Sequence, residues 1–63
     1  MANWKKLVGK RVLIKPIIWP SSIEEVRVVE VSPSGRYVKV SDPYGWSSRW
    51  IDTEKYLVLE VLG

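Results

Sequence analysis

SPSGRYVKVSDPYGWSSRW, residues 32–50, carries the same punctuation twice. Ser32-Pro33-Ser34-Gly35 and Asp42-Pro43-Tyr44-Gly45 both read polar, proline, any residue, glycine, and they begin ten residues apart. Proline presets φ at the second place of a turn, the first side chain accepts a turn N–H, and glycine takes the positive-φ place. A type I turn followed by a left-handed glycine is a common hairpin loop. Between the turns, Arg36-Tyr37-Val38-Lys39-Val40-Ser41 alternates polar and apolar, the period of a strand with one buried face. Three antiparallel strands in a meander follow.

The second hairpin sets a register. A three-residue loop places Asp42 opposite Trp46, Val40 opposite Ser48 and Val38 opposite Trp50. Val38, Val40 and Trp50 then point inward, while Lys39 and Arg49 lie side by side outside. A two-residue loop would set Arg49 opposite Val38 and bury an unpaired charge, which is costly. Tyr44 is at the turn tip and exposed. Trp46 has core-face parity at the sheet's end, where it either caps a barrel or forms a rim.

Outward from this hairpin, the strand at 25–32 has Val26 and Val28 on one parity and Val29 and Val31 on the other. A bulge near Val28–Val29 reconciles them and bends the strand, which is how a small sheet curls into a barrel. Gly9 marks a turn or bulge before a first strand containing Val12-Leu13-Ile14, and a long connection runs from 16 to 22. After the fourth strand, 52–56 reads as one 3₁₀ turn with Asp52 as its cap. A last strand at 57–62 has Leu57, Leu59 and Val61 on one face. The expectation is a single small domain over 1–63, all-β, five-stranded and antiparallel, strongly bent into a barrel.

Composition agrees. Ten valines, five isoleucines and five leucines favour pleated surfaces, and with no phenylalanine the large rings are four tryptophans and three tyrosines. With neither cysteine nor histidine, disulfides are excluded and no structural zinc site is expected. The lack of glutamine, the single asparagine and the many valines and lysines fit a thermophile source. No apolar run resembles a signal peptide or a membrane span, so a cytoplasmic protein without a membrane partner is expected. The net charge of +3 is uneven: residues 1–15 carry +5, 16–35 carry −2, and 36–63 balance.

The order of elements resembles the Src-homology-three-like small barrels, including the Tudor and KOW groups. The resemblance spans about residues 7–62. It rests on the long connection after the first strand, the tight turns after the second and third, Gly9 before Val12-Leu13-Ile14, and Arg49-Trp50-Ile51 ahead of the 52–56 turn. The chain lacks the acidic aromatic run of the polyproline-binding members, has no proline after Ile51 and has one extra residue before Tyr56. The resemblance therefore implies the fold without polyproline binding.

Nothing resembles a catalytic constellation. Glu24 and Glu25 are adjacent, so on a strand they point to opposite faces, and no nucleophile–base pair or phosphate-cradling glycine loop is present. The chain reads as a non-enzymatic binding module without a cofactor. The leading expectation is low-specificity binding of DNA or RNA. Lys5, Lys6, Lys10 and Arg11 form a basic amino end able to neutralise phosphates, although strand parity parts Lys10 from Arg11. Tyr37, Lys39 and Arg49 on the outer hairpin face, with Tyr44 and Trp46 at its end, interleave rings and cations as single-strand binders do. The alternative is a protein-interaction or self-associating module using Trp4, Ile17 and Trp19 around the 16–23 loop, since tryptophan is over-represented in interface hot spots. Against both stands a plain reading: solvated lysines, an acid such as Glu30 beside Lys39, and rings that only pack.

Overall fold

The computed structural model describes residues 3–18 and 22–63. They form one antiparallel sheet of β1 (Arg11–Pro16), β2 (Glu24–Val31), β3 (Tyr37–Ser41), β4 (Ser48–Asp52) and β5 (Tyr56–Val61). The spatial order is β4-β3-β2-β1-β5. Short 3₁₀ turns at Trp4–Leu7 and Thr53–Lys55 precede β1 and β5. Among the described residues no ladder joins β4 to β5, so the sheet wraps a core without closing. No helix among the described residues is long and apolar enough to cross a membrane.

Two extra residues bend the sheet. Val28 pairs with Val40 and Glu30 with Lys39, which leaves Val29 as a bulge, where the alternation of the valines requires one. Ile14 pairs with Val58 and Leu13 with Glu60, so Leu59 is a second bulge. The bulge at Val29 lets Val26 and Val28 be buried and Val31 pack partly against them, with Val29 outside. The bulge at Leu59 breaks the expected apolar face of β5. Leu57, Leu59 and Val61 are exposed, and Tyr56 and Val58 are the residues that pack on the core.

The core holds Val12, Ile14, Val26, Val28, Val38, Val40 and Ile51 from the strands, with Trp4 and Leu7 from the first 3₁₀ turn. Burying each such aliphatic side chain contributes roughly 2 kcal/mol over leaving it in water. Trp4 and Leu7 are three residues apart, so a 3₁₀ turn stacks them on one side. The Asn3 side chain caps that turn by accepting the Lys5 N–H at 3.2 Å. Trp4 is only 8% exposed, so it packs with the core and does not stand free on the surface.

The second hairpin closes one residue wider than expected, and the first closes in the same way. Ser32 N–H donates to Tyr37 O at 2.9 Å and Asp42 N–H to Ser47 O at 3.1 Å, so each loop has four residues. Gly35 and Gly45 take φ of +78° and +79°, the left-handed places their turns require. The wider loop shifts β4 by one residue, and a one-residue slip exchanges its two faces. Val38 therefore meets Ile51, Lys39 meets Trp50 and Val40 meets Arg49. This corrects two expectations: Trp50 is outside, its expected core place being taken by Ile51, and Arg49 does not lie beside Lys39 on the outer face. The physical reason is Asp42. Its Oδ1 accepts the Trp46 N–H at 2.6 Å and the Ser47 N–H at 3.2 Å, and these bonds support the extra residue.

The turn at 52–56 forms as the sequence indicates, with the Asp52 side chain accepting the Glu54 N–H at 2.9 Å. Thr53 N–H and Oγ1 both donate to Arg36 O, at 2.8 and 2.7 Å, tying this turn to the 32–37 loop.

Candidate functional site

The 42–47 loop is built around one residue. Asp42 closes the hairpin through its N–H, accepts the Gly45 N–H on its carbonyl at 3.0 Å and holds Trp46 and Ser47 with its carboxylate. On this frame Tyr44 and Trp46 are 79% and 87% exposed, with ring centroids 5.8 Å apart and planes tilted by 41°.

The 32–37 loop supplies an internal control. It closes by the same backbone bonds, Ser32 N–H to Tyr37 O and Gly35 N–H to Ser32 O, and Ser32 Oγ accepts the Tyr37 N–H at 3.1 Å. Ser34 and Arg36 there occupy the places of Tyr44 and Trp46. The turn geometry therefore does not require two large rings, and the core does not use them. Their apolar area is left for contact.

Beside this tip, the outer sheet face presents cross-strand rows. Arg11 faces Arg27, Arg27 faces Ser41, and Ser41 faces Ser48; Ser41 itself is buried, with its hydroxyl donating to Asp42 O at 3.0 Å, so the exposed groups of the row are Arg11, Arg27 and Ser48. The next row is Glu30, Lys39 and Trp50, the last 49% exposed. Arg11 is ion-paired to Glu25 at 3.5 Å. Among the described residues neither Arg27 nor Lys39 has an ion pair, although Glu30 is the cross-strand neighbour of Lys39. The expected like-charge neighbours, Lys39 and Arg49, are replaced by Arg11 and Arg27.

The remaining expected contacts divide between other places. Arg49 follows the inward parity of Val40, and at the strand end its guanidinium is ion-paired to Glu24 on β2. Partial burial would lower its pKa, but the Glu24 carboxylate and the Tyr56 hydroxyl outweigh that and hold it above its ordinary value. Tyr37 begins β3, at the end away from the 42–47 loop. Arg36 lies 5.7 Å over its ring and is ion-paired to Asp52 and Glu54 at 3.2 and 3.5 Å. The Asp52 hydrogen bond is the main cause that raises the Arg36 pKa. Lys5 and Lys6 are exposed on the first 3₁₀ turn, and Lys5 lines a groove with Val31, Gly35 and Thr53, far along β3 from the aromatic tip. Lys10 is exposed just ahead of β1. Ile17 is exposed, and Trp19 lies outside the described residues.

The strand registers thus put Arg11, Arg27, Lys39 and Trp50 on the outer face of the sheet, with Tyr44 and Trp46 on the loop at the end of β3 and β4; sequence reasoning left Arg27 and Trp50 out of the site. Parity contained the signal for Arg27, since it stands between Val26 and Val28. Trp50 was hidden by the loop length. Comparisons of this chain with protein-family models, with curated proteins and with solved structures gave no match.

Proposed function

We propose that this protein is a non-enzymatic, low-specificity nucleic-acid-binding module. The contact face is the outer side of β1–β4 together with the 42–47 loop. The observation that carries the reading is the Tyr44–Trp46 pair, held bare on a loop whose twin folds without rings, beside a face bearing Arg11, Arg27, Lys39 and Trp50. Aromatic faces take bases by stacking, and the cations take phosphates with release of counterions. A loop fixed by Asp42 loses little freedom on binding, which favours affinity. The element order supports the kinship to Src-homology-three-like barrels, which we retain as part of this proposal.

Titration with mixed-sequence oligonucleotides, followed by tryptophan fluorescence, tests it. A saturable change that weakens as salt rises supports the reading. No change at low salt with either single or double strands overturns it.

A second reading rests on a separate feature. An open groove of about 770 Å³ runs between Trp4, Ile17, Val31, Tyr56, Leu57 and Val58, along the edge strand β5. Its apolar lining suits a protein partner, and binding there would be nearly indifferent to salt and sensitive to Ile17→Lys. Mixing this variant with a candidate protein partner at two salt concentrations separates the readings.

A further inference from the structure

We infer that the ligand of the outer face is a single strand, with unpaired bases on Tyr44 and Trp46 and its phosphates crossing the sheet over Arg27 and Arg11. This rests on the nucleic-acid reading and adds the form of the ligand.

The rings make the first argument. Their planes are tilted by 41° at a centroid distance of 5.8 Å, so one flat group cannot lie on both. They offer two separate stacking surfaces at an angle. Consecutive bases meet such surfaces only if the backbone between them turns. In a duplex both faces of each internal base are already covered, and exposing one requires unstacking. A single strand brings bare bases at no such cost, which is why aromatic platforms mark single-strand sites.

The charges make the second. Arg11 and Arg27 are direct cross-strand partners on the outer face. Arg11 is partly compensated by Glu25 at 3.5 Å, so Arg27 is the arginine of the pair without an ion pair among the described residues, and an anion above the two relieves what repulsion remains. The same row continues through Ser41 to Ser48, the pair next to the Asp42–Ser47 closure of the aromatic loop. With strands about 4.8 Å apart, the row is roughly 14 Å long. On this inference a strand stacked on the rings crosses above buried Ser41 to reach Arg27 and then Arg11. The line is narrow. Glu25, opposite Leu13, lies on one side of it, and Glu30, opposite Lys39, on the other. The footprint is short, about four nucleotides, at the low end for single-strand platforms.

The test measures fluorescence anisotropy of labelled twelve-nucleotide oligothymidylate and oligouridylate and of a twelve-base-pair duplex. The proteins are the full chain and its W46A, R27E and K5E variants, at two salt concentrations. Single strands are expected to bind at least tenfold tighter than the duplex. W46A loses about 5- to 150-fold in single-strand affinity. R27E reduces affinity and lowers the salt slope by about one contact, while K5E, with the same charge change at the far end, has the smaller effect. A difference between the two oligonucleotides tells DNA from RNA. Equal or tighter duplex binding, or a W46A variant with unchanged single-strand affinity, overturns the single-strand inference and leaves nucleic-acid binding standing. Failure of every probe at low salt overturns both.

Discussion

Lys39 and Trp50 face each other across the β3–β4 ladder, and this pairing places Ile51 against Val38 in the core. The two neighbours in sequence, Trp50 and Ile51, therefore have opposite fates. Ile51→Ala removes a buried side chain and is expected to destabilise the fold by about 2–4 kcal/mol. Trp50→Ala is expected to cost less than about 1 kcal/mol and to weaken oligonucleotide binding. Urea unfolding of both variants checks this; a larger loss for Trp50→Ala would restore the shorter-loop register.

The twin loops predict that recognition can be removed without touching the fold. The double change Tyr44→Ser and Trp46→Arg copies the side chains of the 32–37 loop onto the 42–47 frame. The melting temperature should stay within a few degrees of the parent, and single-strand affinity, read from the anisotropy of a labelled oligonucleotide, should fall by at least as much as in W46A. A large loss of stability would show that the rings support the fold.

Asp42 is a positioning residue for that loop. Asp42→Ala removes the acceptor for the Trp46 and Ser47 N–H groups and should loosen the tip, lowering affinity several-fold. Asp42→Asn keeps one acceptor oxygen and should restore most of the affinity. A residue acting only through its charge would show no such rescue.

Arg49 and Arg27 should separate in their effects. Arg49 is engaged with Glu24 at the partly exposed strand end, where such a pair contributes under about 1 kcal/mol. Arg49→Gln should change stability slightly and binding little. Arg27→Gln should do the reverse. Paired melts and binding isotherms distinguish them.

The Asp52 carboxyl is held below the usual carboxylate range, chiefly by the Glu54 N–H and further by Arg36. Its folded value is depressed, so its stabilising contribution is fully present above the unfolded value near ~4. That contribution is lost as pH falls through the folded value. Melts recorded from neutral pH downward should show stability declining below about pH 4, and Asp52→Asn should flatten that decline.

Much of the architecture was legible because its signals are local. The polar-Pro-x-Gly turns, the split parity of Val26, Val28, Val29 and Val31, and the Asp52 cap each reflect backbone chemistry within a few residues. The register of β4 was not legible, because it depends on whether Asp42 supports three loop residues or four, a choice made by its side-chain bonds to Trp46 and Ser47. The bulge at Leu59 escaped for a related reason: it is specified by β1, forty-odd residues earlier, and not by β5 itself. Of the candidate site, the exposure of Tyr44 was readable, whereas that of Trp46 was left open because the shorter loop gave it core-face parity. The grouping of Arg11 with Arg27 was not, because it needs the pairing of β1 with β2.

The two proline–glycine frames ask for a polar residue, a proline and a glycine, and leave positions 34 and 36, or 44 and 46, open. Folding and recognition are thus written in different letters of the same loop. On the proposed reading, substitutions at Tyr44 and Trp46 would alter what the molecule holds while leaving its scaffold intact, and the chain would acquire new partners by drift at two positions that the turn itself does not constrain.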